Sequence, residues 1–190
     1  MGDGNSLQER GRSLEEEYFR RKNRELVEKM QQDARSEQAR REMGAQVGID
    51  DPEMLRELQK LGFTADTVAL LPLVPVVEVA WADGSVAAAE RDAIRSLARS
   101  RGIADGTAAY HQLEAWLADR PGADVFSGAT RLIRAIIDAP AGDQRSMTAD
   151  DLVAYCESIA SASGGLFGVR KISPEERTAL SSIAARLKGA

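Results

Sequence analysis

Leu70–Arg91, with the sequence LLPLVPVVEVAWADGSVAAAER, is the stretch that decides the fold of this 190-residue chain. Its nearly continuous apolar first part predicts a buried helix, and Pro72 and Pro75 predict a kink in that helix or its first turn. Asp83-Gly84 predicts the turn that ends this helix. The Glu-Arg pair that closes the stretch lies in the first turns of a second predicted helix. The stretch therefore predicts a helix, a glycine turn and another helix.

A variant of this pattern returns as Asp151–Arg177, DLVAYCESIASASGGLFGVRKISPEER. Both units predict a buried helix, a glycine turn, a β-branched residue and a helix that carries Glu-Arg. The corresponding positions are Val86 with Ile172, and Glu90-Arg91 with Glu176-Arg177. The second unit has the longer glycine loop and the better helix cap, because Ser173 stands where the first unit has Ala87.

Glycine, proline and capping residues divide the rest of the chain into helices. Asp51-Pro52-Glu53 combines a cap with proline in the first turn, and Ser173-Pro174-Glu175-Glu176 adds the glutamate of a capping box. The expected helices run from Asp51 to Gly62, Thr64 to about Ala82, Ala87 to Arg101, Thr107 to Asp119, Val125 to Asp138, Leu152 to Ala162, and Ser173 to about Leu187. No segment alternates like a strand. We therefore expect an all-α bundle of about seven helices after an N-terminal arm, with sequence neighbours packed antiparallel.

Composition separates the arm from the domain. Residues 1–46 are mostly charged and polar, whereas residues 47–190 alternate apolar runs with helix breakers. We expect a frayed Met1–Gly11, a helix from Ser13 to about Glu42, and a linker over Gly44–Ile49.

The arm carries an apolar stripe near helical spacing, which makes it amphipathic. Its members are Leu14, Tyr18, Leu26, Val27 and Met30, with Phe19 beside them. Heptad spacing is not sustained along the arm, so no coiled coil is predicted. Two interpretations stay open: the arm packs on its own domain or dangles, or it lays its stripe on a partner protein or a second protomer.

Charge and cysteine content exclude several classes of function. The net charge of −5 and a pI near 5.1 disfavour nucleic-acid binding. The single cysteine, Cys156, excludes a disulfide framework and suits a reducing, cytoplasmic location. With one histidine, His111, the chain offers no zinc ligand set and no supported catalytic triad. We therefore expect a protein that is not an enzyme.

Two segments carry a family resemblance: Ala80–Arg91, AWADGSVAAAER, and Ala160–Arg177, ASASGGLFGVRKISPEER. They resemble the TerB-like family, the tellurite-resistance TerB helical domain and its relatives, over roughly Asp50 to Leu187. The resemblance implies an all-helical fold of two related halves and a role in a bacterial stress-response system. It also implies association with membrane-linked complexes and divalent-cation binding by acidic residues.

The acidic residues that the resemblance assigns to a cation are Glu78, Asp83 and Glu90 in the first unit, with Glu157 and Glu176 in the second. Asp83 has no acidic counterpart in the second unit, which departs from a symmetric site. Asp83 followed by Gly84 also suits a simple helix-ending turn, or a looser site with Glu90. An EF-hand is excluded, because Val86 and three alanines occupy positions where that loop needs oxygen ligands.

Glu78 lies on an apolar helix, where an ionised carboxylate must be paired, coordinated or neutralised. The alternatives are a salt bridge to a nearby arginine or an edge position beside solvent, a cation site shared with Glu157, and a polar anchor in a binding cleft. The loop Gly164–Gly168 offers a different contact, because Leu166-Phe167 suits a protein or membrane partner if the pair is not buried.

These patterns favour a non-enzymatic interaction or scaffold protein, and the resemblance implies that it acts in a bacterial stress-response system. Its expected partners are proteins bound through the arm or through Leu166-Phe167, with homo-oligomerisation and peripheral association with a membrane complex left open. The alternative is a metal-dependent or small-ligand-binding enzyme accessory that uses a buried carboxylate pair, Glu78 and Glu157. An exposed apolar patch would favour the first, and carboxylates converging in a pocket the second.

Overall fold

The computed structural model describes residues 3–138, 148–162 and 172–189, and these are helical throughout apart from turns and connections. The helices are α1 Asp3–Val47, α2 Pro52–Lys60, a 3₁₀ helix Val68–Leu73, α3 Val74–Ala80, α4 Ala88–Ser100, α5 Ala108–Ala118, α6 Ala123–Asp138, α7 Ala149–Ala162 and α8 Pro174–Lys188. The described residues contain no strand. The predicted all-α class is therefore confirmed, with seven α-helices after the first.

The predicted caps begin and end these helices. The side chain of Asp51 accepts hydrogen bonds from the first backbone N–H groups of α2, and Ser173 accepts one from Glu176 in α8. Gly62 and Gly102 follow α2 and α4 with φ of 88° and 83°, a left-handed conformation that favours glycine. Cap chemistry is local, so the sequence predicts it well.

The segment Thr64–Ala82, expected as one helix, is divided into two. Val68–Leu73 forms a 3₁₀ helix that contains Pro72, and α3 begins immediately after it with Pro75 in its first turn. Proline has no N–H to donate into an α-helical ladder, so the tighter 3₁₀ geometry replaces the first turns. Pro75 thus marks the start of α3, whereas Pro72 lies inside the 3₁₀ helix near its end.

The first helix is longer at both ends than expected. α1 is one 45-residue helix that includes Asp3–Gly11, expected to fray, and Gly44–Val47, expected to be a linker. Tertiary packing explains the C-terminal extension: Met43 is fully buried, and the Gly44 carbonyl accepts a hydrogen bond of 3.0 Å from Ile49. A Cβ on Gly44 would collide with the Ile49 carbonyl, so glycine permits this approach.

The core combines helices that are distant in sequence with one strongly packed neighbouring pair. α3 packs against α6, α7 and α8, while α7 also packs against α4 and α8. The expected packing of sequence neighbours is present between α7 and α8, whereas α3 packs mainly on helices that are distant from it in sequence. The buried face of α3, rich in valine, lies at the centre of the bundle. Among the described residues, no helix is both long and apolar enough to cross a membrane.

Candidate functional site

The surface of α1 holds the exposed apolar stripe. Every large hydrophobic side chain that is exposed in the described part of the chain lies on this helix between residues 18 and 30. They are Tyr18 at 49%, Phe19 at 62%, Leu26 at 56%, Val27 at 51% and Met30 at 63%. The side chain of Leu14 lies outside the described residues. The stripe predicted from sequence is therefore exposed and does not pack on the domain.

The far end of α1 is fixed to the rest of the molecule. Arg40 donates a hydrogen bond of 3.1 Å to the side-chain oxygen of Gln59 in α2, and Met43 enters the core. The stripe ends at Met30, about two turns before Ser36, the first partly buried position among the described side chains of the helix. The stripe is therefore carried on a helix that is anchored at one end, so it presents several apolar side chains on a preformed backbone.

Of the five predicted acidic ligands, the structure brings two into direct contact. Glu90 and Glu176 are the third residues of α4 and α8, and each is 98% buried. Glu90 Oε2 accepts a hydrogen bond of 2.7 Å from the N–H of Ala87. Glu176 Oε2 accepts one of 2.6 Å from the N–H of Ser173. The two matching glutamates thus occupy the same position in their helices.

The electrostatics of this pair differ from those of surface carboxylates. The pKa of Glu90 is raised to about 7, mainly by burial. The hydrogen bond from the Ala87 N–H lowers this pKa, while a hydrogen bond and charge repulsion from Glu176 contribute to the rise. The charge of Asp83 acts in the same direction. Two carboxyl groups this close cannot both ionise readily, so they share a proton near neutral pH.

Glu78 is held by an arginine that the sequence did not single out. Its Oε1 accepts a hydrogen bond of 2.7 Å from Arg186. This salt bridge joins α3 to α8 across 108 residues of sequence. Its Oε2 is buried and has no hydrogen-bond partner among the described residues. The salt bridge was one of the alternatives for Glu78, and it is the one present.

Glu157, the expected partner of Glu78, is exposed on α7. Burial, followed by the charges of Glu78 and Glu157, raises the pKa of Cys156 to about 12, so the thiol is unreactive at neutral pH. Asp83 Oδ1 accepts a hydrogen bond of 3.0 Å from the N–H of Ser85 in the turn after α3, which is typical of a helix-ending turn. In the described part of the chain, no group of three or more His, Cys, Asp or Glu residues could hold a metal ion.

Some expected sites cannot be placed. Leu166-Phe167 and the loop Gly164–Gly168 lie outside the described residues. The contact between Glu90 and Glu176 was missed, although the matching of the two units already equated these positions. Arg186 was missed because nothing local to residue 186 points to a carboxylate on α3.

Comparison of the chain with known protein families, with curated proteins and with solved structures found no match. The resemblance to the TerB-like family therefore stays a prediction from the residues that carry it.

Proposed function

We propose that this chain is a non-enzymatic interaction protein whose N-terminal helix docks its apolar stripe on another protein molecule. The observation that carries the proposal is the confinement of all exposed large hydrophobic side chains of the described residues to one part of α1. Aromatic residues and methionine are enriched in the centres of protein interfaces, and this stripe contains Tyr18, Phe19 and Met30.

The anchoring of α1 supports this role. A helix that is already formed and fixed at Met43 loses less conformational freedom on docking than a segment that must fold first. Helix-in-groove recognition uses apolar side chains at helical spacing, and Leu26 and Met30 supply one such pair.

The family resemblance supplies the finer part of the proposal. We propose two related halves, with α3 and α4 in the first and α7 and α8 in the second, acting in a bacterial stress-response system in the cytoplasm. Support comes from the equal positions of Glu90 and Glu176. Association with a membrane-linked complex belongs to the same proposal and rests on the resemblance alone.

The docking role is tested by photo-crosslinking in the cells that produce the chain. Leu26 is replaced by a benzophenone-bearing amino acid, and the control places the same group at Glu28, on the opposite face of the helix. We expect a discrete adduct from position 26 that is absent from position 28. The adduct partner is then purified, and we expect Phe19→Asp to weaken its binding by at least tenfold. Equal adducts from both positions, or none from position 26, would contradict the docking role.

The second candidate function is cation or small-ligand binding through a buried carboxylate pair. The buried pair that favours this candidate is Glu90 with Glu176, whereas the pair expected from the sequence was Glu78 with Glu157. The pair supplies only part of the six or more oxygen ligands of Ca²⁺, so a bound cation would take the rest from water. The described residues alone therefore do not form a closed metal site.

Thermal unfolding in EDTA and then in Ca²⁺, Mg²⁺, Mn²⁺ or Zn²⁺ tests this candidate. A cation at a hundred times its dissociation constant adds about 2.7 kcal/mol to the stability of a protein that binds it. The second candidate requires such a rise in the wild type, its loss in Glu90→Gln, and its retention in Glu157→Gln. No rise with any cation would exclude a stabilising site.

A further inference from the structure

The exposed stripe of α1 contains two heptad-spaced pairs. Phe19 and Leu26 are seven residues apart, as are Asn23 and Met30, and all four side chains are exposed. The order 19, 23, 26, 30 has the alternating four- and three-residue steps of the apolar seam in a two-stranded coiled coil. Phe19 and Leu26 then take d positions, and Asn23 and Met30 take a positions. This seam spans fewer than two heptads. Its shortness agrees with the absence of sustained heptad spacing along the arm.

We propose that the partner of this seam is α1 of a second copy of the chain, packed parallel and in register. The proposal rests on the docking role of α1 and specifies the protein that it binds. The seam residues would bring Phe19, Leu26 and Met30 against their own counterparts. The domains would then lie on the same end of the paired helices.

Asn23 favours a second copy over a foreign apolar groove. An asparagine in the middle of an apolar seam is left without hydrogen bonds when the facing surface is apolar. In a parallel, in-register pair it faces the amide of its own counterpart, which offers both a donor and an acceptor. A single asparagine at an a position is known to specify register and a two-stranded state in this way.

The charges beside the seam favour the parallel orientation. Glu15 and Arg20 take positions g and e, which face each other between parallel strands, so two attractive pairs form by symmetry. In an antiparallel pair the g positions face each other, and Lys22 would meet Lys29 of the second copy. Charge complementarity therefore selects parallel packing.

Charge also sets the end of the seam. The next d and a positions are Asp33 and Glu37, where like carboxylates of the two copies would meet. These residues come just before the part of α1 that packs on the domain near Arg40. The interface is therefore short, and we expect a dimer that dissociates on dilution rather than an obligate one.

Sedimentation equilibrium of the full chain, from low micromolar to several hundred micromolar, tests the association. We expect the average mass to rise toward that of a dimer. Leu26→Asp should weaken association at least tenfold, whereas Gln31→Asp, the same charge change away from the seam, should leave it within twofold. Both variants alter exposed side chains, and unchanged urea unfolding verifies that they fold. A monomer at every concentration, or a dimer that Leu26→Asp leaves intact, overturns the proposal.

Cysteine crosslinking tests the orientation. In a parallel pair Asn23→Cys lies against its own counterpart, so mild oxidation should join two chains, while Gln31→Cys should not. A mixture of Asn23→Cys and Leu26→Cys chains that crosslinks in preference to Asn23→Cys alone would show antiparallel packing and overturn the proposal. A monomeric chain whose position 26 still crosslinks to a different protein would overturn the second copy as partner but leave the docking role standing.

Discussion

Glu90 is a residue whose protonation near neutral pH is changed by the fold. It is buried beside Glu176, and its pKa is raised from 4.5 to about 7. The folded state therefore holds a proton that the unfolded state releases between these two values. The stabilisation is complete below about pH 4.5 and is lost as the pH rises through 7, a change of up to about 3 kcal/mol.

Glu90→Gln should remove this pH dependence. The amide oxygen of glutamine still accepts from the Ala87 N–H, and its NH₂ can donate to Glu176 in place of the lost proton. We expect the variant to be more stable than the wild type at pH 8 by about 1–3 kcal/mol and close to it at pH 5. Urea unfolding at several pH values measures the difference, with Glu175→Gln as the exposed control. The same slope in wild type and Glu90→Gln would show that the pair does not share a proton.

The Glu78–Arg186 salt bridge gives a second prediction for single residues. Arg186→Met removes the only described partner of a carboxylate whose side chain is 19% exposed, so the remaining charge is poorly compensated. We expect a loss of about 1–3 kcal/mol, and a smaller loss for Glu78→Gln, which stays neutral. Chemical unfolding of both variants measures this. Glu157→Gln, on the exposed face of α7, should stay within about 0.5 kcal/mol of wild type. A Glu78→Gln loss that exceeds the Arg186→Met loss would contradict this explanation.

At the scale of elements, the N-cap residues of α4 and α8 differ by one hydroxyl group. Ala87 has φ −66° and ψ 156°, and Ser173 has φ −61° and ψ 158°, so the two caps share a backbone conformation. Ser173 Oγ accepts a hydrogen bond of 3.0 Å from the N–H of Glu176. Ala87 has no side-chain oxygen that could accept the equivalent bond from the N–H of Glu90. The capping box is therefore complete in α8 and half complete in α4.

Ala87→Ser should complete the box in α4. We expect a gain of about 0.5–1 kcal/mol in the free energy of unfolding, and a loss of about 1 kcal/mol for Ser173→Ala. Ala87 is exposed, so the added hydroxyl meets no packing constraint. Denaturant unfolding checks both, with Ala88→Ser, one residue into the helix, as the control for serine itself. A gain from Ala88→Ser as large as that from Ala87→Ser would show that capping is not the cause.

The elements that the sequence predicts well are those bounded by local chemistry. The cap of Asp51 and the stop at Gly62 depend only on residues within one turn. From the sequence, each proline could mark either a kink or the start of a helix, because both arrangements accommodate a residue that has no N–H to donate. The extension of α1 to Val47 accompanies the burial of Met43 and the packing of α1 on α2 and the 3₁₀ helix, tertiary contacts that no pattern within α1 contains.

The same distinction holds for the candidate sites of the whole molecule. The stripe of α1 was predictable, because periodicity on one helix specifies a face without any tertiary information. Its exposure was one of two open interpretations, since that depends on what the domain covers. The contact of Glu90 with Glu176 depends on how α4 and α8 approach each other, and sequence equivalence does not imply proximity.

Two truncations test how the arm relates to the rest of the molecule. Removing residues 1–32 deletes the exposed stripe but keeps Arg40 and Met43, so we expect the free energy of unfolding to change by less than about 1 kcal/mol. Removing residues 1–45 also deletes a fully buried methionine, so we expect a loss of about 2–5 kcal/mol. Urea unfolding of monomeric protein at low concentration measures both.

The division into an arm of residues 1–46 and a domain of residues 47–190 stays a prediction, and these truncations decide where it lies. If the shorter deletion is neutral and the longer one is not, the domain includes the last turns of α1, and the arm ends before Met43. The stripe then contributes nothing to the fold of its own chain, as a surface reserved for docking requires. A large loss from the shorter deletion would mean that the stripe packs on the domain in solution, and the docking role would fail with it.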